Sequence, residues 1–243
     1  MSERNLAPGA ALVTGGTSGI GRALCVALAT KGLTVVLTGR DVARAEQTRQ
    51  SLPQPERHHA IIGDLGDAGF VAALAAQTQQ LAGGALAVLV HAAGVHGAQP
   101  LEHVSAADVD VTLATNLRAP VLLSTALLPA LRTARGQVVF INSSSVNHPR
   151  PDVAVYAASK AGLKAFADAF RALVNPDGVR VLSVFPGRTA TPMQRANYVR
   201  EGRPFRPELL LQPEDVAASV LAALVLPETA ELTELQLRPC IKS

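Results

Sequence analysis

The chain is predicted to form a single α/β domain, a doubly wound parallel sheet of about seven strands with helices on both faces. Three observations lead there. Short, continuously apolar runs rich in Val, Ile and Leu recur along the chain, and such runs mark strands covered on both faces. Longer Ala- and Leu-rich stretches with helical spacing separate them, and this alternation implies parallel pairing through right-handed crossovers. The 243 residues are 48% hydrophobic and 17% charged, which supplies one large core and argues against disorder.

Residues 1–8 read as an N-terminal tail. Strands are expected at 10–14, 33–38, 58–62, 86–91, 137–142, 179–185 and 234–238. Helices are expected between them at 19–31, 41–51, 67–82, 105–132, 153–174 and 213–226. Local signals support several boundaries. Asp41 stands where it can cap the second helix. Ser105 followed by Asp108 reads as a capping box. Pro176-Asp177-Gly178 is a turn, and Pro213 with Glu214 and Asp215 suits a first helical turn. Residues 188–210 hold Pro192, Pro204, Pro207 and Gly202 with little apolar periodicity, and are expected to form a surface loop or substrate lid. No repeat, low-complexity tract or linker interrupts residues 1–243, so one domain is expected.

Composition narrows the function. Aromatic residues are 3% with no Trp, so the core must be built from Ala, Val and Leu. A formal net charge of +3 without a clustered basic run argues against a nucleic-acid partner. Two cysteines, Cys25 and Cys240, make no disulfide framework, and a reducing cytoplasm is the expected location. The N-terminus has no apolar signal region. Apolar runs such as 85–95 are too short to span a bilayer, so no membrane partner is expected. The terminal Cys240-Ile241-Lys242-Ser243 carries Lys242 where a prenylation box needs an aliphatic residue. The sequon at Asn142-Ser143-Ser144 closes a buried strand and is set aside. No metal site is expected.

Three motifs carry chemistry. Thr14-Gly15-Gly16-Thr17-Ser18-Gly19-Ile20-Gly21 follows a predicted strand and opens a predicted helix. Glycines there let the backbone approach a pyrophosphate, and the helix N-terminus offers N–H groups and a positive dipole end. An ordinary glycine-rich turn would look similar. Arg40 after the second strand offers a permanently charged fork for a 2′-phosphate where an acid would bind ribose hydroxyls, so NADP(H) is preferred over NAD(H). A solvated loop arginine is the plain alternative. In Tyr156-Ala157-Ala158-Ser159-Lys160, residues four apart share a helix face. The Lys160 ammonium is then expected to lower the Tyr156 pKa toward an acid/base range. A tyrosine covering a helix beside a snorkelling lysine would give the same spacing.

Taken together with Asp64-Leu65, Ala93-Gly94, Asn116, Ser143 and Pro186-Gly187, these motifs resemble the short-chain dehydrogenase/reductase family in order and spacing, over residues 8 to 238. The resemblance implies a Rossmann-type fold and an oxidoreductase that transfers a hydride between NADP(H) and a carbonyl or secondary alcohol. It implies Tyr156 as catalytic acid/base, Lys160 as the group that tunes Tyr156 and holds the nicotinamide ribose, and Asn116 as support for a proton-relay water. Ser143, Ser144 and Ser145 compete for the substrate-binding serine, and family spacing to Tyr156 selects Ser143. Gly15, Thr17, Ser18, Gly19, Ile20 and Gly21 would line the phosphates, and Asp64 and Leu65 the adenine. Ala93, Gly94, Pro186, Gly187, Thr189 and Thr191, with Tyr156 and Lys160, would complete the cofactor groove. One departure is His91-Ala92-Ala93-Gly94, where the family usually begins with two asparagines; His91 is read as structural, and strand-tying must come from elsewhere.

The substrate is a small carbonyl or alcohol compound, with residues 146–155 and 188–210 expected to wall its pocket. Arg188 to Arg206 holds five arginines and one acid, Glu201, which would suit an anionic substrate or a solvated lid. A 3-oxoacyl-thioester reductase and a non-catalytic NADP(H)-binding sensor or scaffold are the alternatives. The family resemblance also implies a homotetramer or homodimer, built on the helices at 105–132 and 153–174.

Overall fold

The apolar runs form the strands of one sheet. In the computed structural model, which describes residues 4–6, 8–97 and 99–241, these are β1 (Ala10–Thr14), β2 (Thr34–Gly39), β3 (His59–Ile62), β4 (Leu86–His91), β5 (Gln137–Ile141), β6 (Arg180–Pro186) and β7 (Glu234–Leu237). All pair in parallel, in the order β3-β2-β1-β4-β5-β6-β7. The order reverses direction between β1 and β4, and in sheets of this kind the crevice at the carboxyl ends of those strands takes the ligand. Part of the expected 1–8 tail, and Lys242 and Ser243 of the C-terminal tetrapeptide, lie outside the described residues.

The central strands are mostly apolar because helices cover both faces. α1 (Gly19–Thr30), α2 (Val42–Gln50) and α8 (Pro213–Leu224) bury Leu24, Leu28, Ala45, Val216 and Val220 against Ala11, Val13, Val35 and Val90. α3 (Ala68–Leu81), α5 (Ala119–Ala134) and α6 (Ala154–Val174) bury Leu74, Leu123, Leu127 and Leu163 against Leu12, Val36, Leu89 and Phe140 on the other face. Successive residues of β1 therefore enter different cores, as the two-residue period of a strand requires.

Two stretches differ from expectation. The helix expected over 105–132 is α4 (Ala106–Leu113), a π-helical turn (Ala114–Arg118) and then α5. The Ser105–Asp108 capping box opens it as expected. The whole run Ala106–Ala134 is long and apolar enough to cross a membrane by length and composition, a feature the reading of apolar runs overlooked. Its apolar face is used inside the fold, where Leu123, Leu127, Ala130 and Leu131 bury against the sheet. The second difference is within 188–210, expected as loop, where α7 (Pro192–Arg200) forms. Thr191 caps it by accepting from Gln194 N, and Pro192 takes a first-turn position that needs no N–H donor.

Candidate active site

The carboxyl ends of β1 and β4 open into a cleft of about 470 Å³. Its outer part is built by the β1–α1 turn. Thr14 stitches this turn to the segment after β4: its Oγ1 donates to Val90 O and accepts from Ala92 N and Ala93 N at 3.1 and 3.2 Å. Gly15 sits at φ +68°, and a Cβ there would lie 2.8 Å from the Ala93 backbone. A Cβ on Gly21 would lie 2.2 Å from Gly15 O. Side chains are thus excluded where the turn folds on itself. Ser18 precedes α1 in extended conformation, with no side-chain cap and no acid in the first helical turn. The helix N-terminus, lined by Gly15, Thr17, Ser18, Gly19, Ile20 and Gly21, is therefore presented to the cleft with its dipole uncompensated.

At the rim beyond this turn, Arg40 is exposed and lines the cleft, while Asp41 is turned away and caps α2 by accepting from Arg44 N at 3.0 Å. Asp64 and buried Leu65 form the opposite side, with one Asp64 oxygen accepting from Gly66 N. Ala93, Gly94, Pro186, Gly187, Thr189 and Thr191 line the inner part. Thr191 Oγ1 accepts the α7 cap bond from Gln194 N at 3.2 Å, which fixes its side chain at the groove wall and leaves the O–H as a donor.

Ser143, Tyr156 and Lys160 meet at the inner end. Ser143 lies two residues beyond β5, capping the short turn Ser144–Val146, and is steadied by Ser145, whose N and Oγ both donate to Ser143 Oγ at 3.1 and 2.9 Å. Burial pushes the Tyr156 hydroxyl above the ordinary phenol range, and a hydrogen bond with Ser143 partly opposes this. Lys160 lies one turn on, with its Nζ 5.9 Å from the Tyr156 ring centroid and donating to Ile141 O at 2.8 Å. Burial brings Lys160 down to about 8. The lowering of Tyr156 expected from Lys160 is not what the structure gives: Tyr156 is buried, with 9% of its surface exposed, so desolvation of the phenolate prevails.

Asn116 stands behind this wall, fully buried in the π-helical turn. Its Oδ1 accepts from Val95 N, and its Nδ2 donates to Val95 O and to Ser159 Oγ, at 2.9 to 3.0 Å. Ser159 Oγ in turn donates to Tyr156 O at 2.7 Å. Asn116 thereby clamps the segment after β4 to the helix that carries Tyr156. Such π-turns recur at functional sites. Gly94 lets the parts converge, since a Cβ there would stand 3.3 Å from Asn116 Oδ1 and 3.7 Å from Lys160 Nζ.

His91 does the tying that the departure from the family motif left open. Its Nε2 pairs with Ser124 Oγ at 2.9 Å and its ring stacks on Phe140 at 4.9 Å. Burial first, then the Lys160 charge, hold it down to about 3, so it is a neutral wedge. Removing its partner by Ser124→Ala is expected to cost about 1 kcal/mol, read as a lower urea midpoint at unchanged slope.

Sequence reasoning missed His96. Its ring packs against Tyr156 at 4.5 Å and 44°, and it lines the cleft. No motif marks it; a single histidine beyond a strand end carries no signal of its own. The two segments expected to wall the pocket both line the cleft, through His148, Arg150 and Val153 from one and Arg188, Met193, Asn197 and Glu201 from the other.

The cleft's shape and donors fit a nicotinamide dinucleotide: a helix N-terminus and a side-chain-free turn for the pyrophosphate, an arginine at the outer rim, and a tyrosine–lysine pair at the inner end. Comparison with known proteins agrees. The short chain dehydrogenase family model matches residues 9–201. Sulfoacetaldehyde reductase 2 of Chromohalobacter salexigens is 32% identical, over 94% of this chain and 93% of its own. Human (3R)-3-hydroxyacyl-CoA dehydrogenase is 34% identical, over 79% of this chain and 77% of its own. Among solved structures, an alcohol dehydrogenase from Thermococcus sibiricus complexed with 5-hydroxy-NADP superposes with a TM-score of 0.85 at 27% identity, covering 97% of this chain and 98% of that one.

Proposed function

The chain belongs to the short-chain dehydrogenase/reductase family, and from that premise we propose that it is an NADP(H)-dependent oxidoreductase interconverting a carbonyl and a secondary alcohol. The observation that carries this reading is the meeting of Ser143, Tyr156 and Lys160 at the inner end of a cleft whose outer end is the α1 N-terminus. When bound, the nicotinamide supplies or accepts the hydride. The residues of the chain do the rest. In the reductive direction the Tyr156 hydroxyl gives its proton to the substrate oxygen as negative charge develops there, and the Ser143 hydroxyl gives that oxygen a second hydrogen bond. The Lys160 ammonium, 5.9 Å from the Tyr156 ring centroid, offsets part of the charge on the phenolate that Tyr156 becomes, and would hold the nicotinamide ribose when the cofactor is bound. Asn116 and the π-helical turn fix the helix that carries both.

Arg40 supports NADP(H) over NAD(H), since it is the exposed cation at the rim where a 2′-phosphate would lie, and the Thermococcus sibiricus relative was solved with an NADP derivative. Arg40→Glu is expected to weaken NADPH binding about tenfold or more in a fluorescence titration, with much less effect on NADH. The reading itself is tested by following NADPH and NADH consumption against ketones, aldehydes, quinones and a 3-oxoacyl thioester. Turnover with NADPH is expected, and faster turnover with NADH would remove the role given to Arg40.

The relation to a 3-hydroxyacyl-CoA dehydrogenase favours a second reading, reduction of 3-oxoacyl thioesters. Turnover of an acetoacetyl thioester in preference to simple ketones would select it. A cofactor-binding sensor without catalysis is disfavoured by the assembled Ser143, Tyr156 and Lys160. A homodimer or homotetramer belongs to the same proposal, supported by Val111, Leu113 and Leu122, which leave apolar side chains exposed on α4 and α5; so does a cytoplasmic location, on the ground of two unpaired cysteines, Cys25 and Cys240.

A further inference from the structure

The wall facing the reacting end carries a cluster of charge that proton and hydride transfer do not use. Arg150 lies in the turn before α6, Arg188 follows β6, and Glu201 ends α7; all three line the cleft. Glu201 faces Arg150, Arg188 and Arg203 at 3.4, 3.3 and 3.4 Å. Each contact is longer than an ordinary charged hydrogen bond. Arg150 has a second partner in Asp152 at 2.9 Å. Three guanidinium groups therefore share two carboxylates.

Arg188 is also preorganised. Its Nη1 donates to the Tyr198 hydroxyl at 3.0 Å and its Cζ lies 5.0 Å from the centroid of the buried Tyr198 ring. Only 25% of its side chain is exposed. A guanidinium fixed in a partly desolvated wall, with its carboxylate partner shared, is poised to take an oxyanion. The charge reaches the chemistry: His96, packed on Tyr156, is held down to about 4 by burial and then by Arg200 and Arg150. His96 is neutral near pH 7, so it adds nothing to the charge that the arginines and the Lys160 ammonium present there.

We propose that Arg188, assisted by Arg150, is an anion subsite, so that the substrate is a small carbonyl compound carrying a carboxylate or similar oxyanion group, and that Glu201 is the internal counter-charge the substrate displaces. This rests on the reading of the cleft as the carbonyl–alcohol site. The two sides of the ion pair should then respond in opposite directions, which a simple latch holding α7 in place would not do.

The test compares NADPH-dependent reduction of acetoacetate with that of methyl acetoacetate, its uncharged ester. The wild-type protein is expected to favour the acid at least about tenfold in kcat/KM. Arg188→Gln should lower this ratio about tenfold, Arg188→Lys should retain part of it, and Glu201→Gln should raise it. An ester turned over as well as the acid by wild type, or equal losses for both compounds in Arg188→Gln and Glu201→Gln, would overturn the subsite. If neither compound is reduced, calorimetric binding of acetoacetate to the protein with NADP⁺ decides. Binding that is lost in Arg188→Gln keeps the subsite while the reductase reading falls. Absent binding, or binding equal in wild type and variant, overturns it.

Discussion

Tyr156→Phe is expected to lower kcat by about 10²–10⁴-fold, the usual worth of a positioned general acid. The substitution removes one oxygen and leaves the ring, so the packing against His96 and the helical position remain. The bond lost is the one to Ser143, and the Asn116–Ser159 clamp on the Tyr156 carbonyl is untouched. NADPH binding should therefore change little in a fluorescence titration. A variant that kept more than about a tenth of wild-type kcat would show that another group supplies the proton.

Gly21→Ala acts at the other end of the cleft. The added Cβ would sit 2.2 Å from Gly15 O and 2.8 Å from Gly15 C. Both are backbone atoms, so no flexible side chain can yield, and the turn must open. Overpacking of this kind costs about 1–3 kcal/mol, which appears as roughly a tenfold to hundredfold weaker affinity for NADPH. Because Gly21 is buried in the first turn of α1, unfolding by urea should be followed beside binding. The account expects the loss of affinity in a protein that is still folded. Unchanged NADPH affinity in a stable variant would mean that the cofactor does not use this turn.

Much of this was legible because it is local. The runs at 10–14 and 86–91 are strands with those bounds, since a strand buried on both faces is near-continuously apolar and here admits polar residues only at its end, Thr14 and His91. The glycine-rich turn and the Tyr156–Lys160 spacing are local too, and the structure brings both into one cleft. What escaped depends on distant parts. The Ala- and Leu-rich pattern over 105–132 continues unbroken through Asn116, and the π-turn coincides with that side chain reaching Val95 and Ser159, contacts 21 and 43 residues away in sequence. α7 is mostly polar, so apolar periodicity was silent; Thr191-Pro192, a cap and a first-turn proline, was the available sign. The direction of the Tyr156 shift needed its burial, which spacing does not contain. His96 reached the site only through the path of the segment after β4.

In the proposed reaction this cleft moves a hydride between the nicotinamide and a carbonyl carbon, with Tyr156 supplying the proton. It is tested most directly with NADPH carrying deuterium at both nicotinamide C4 positions and whichever carbonyl compound the wild-type protein reduces best. The account predicts an alcohol with one deuterium on its carbinol carbon, formed by wild type and nearly abolished in Tyr156→Phe. An alcohol without deuterium would contradict it, as would a cofactor that binds tightly while no carbonyl oxidises NADPH and no alcohol reduces NADP⁺.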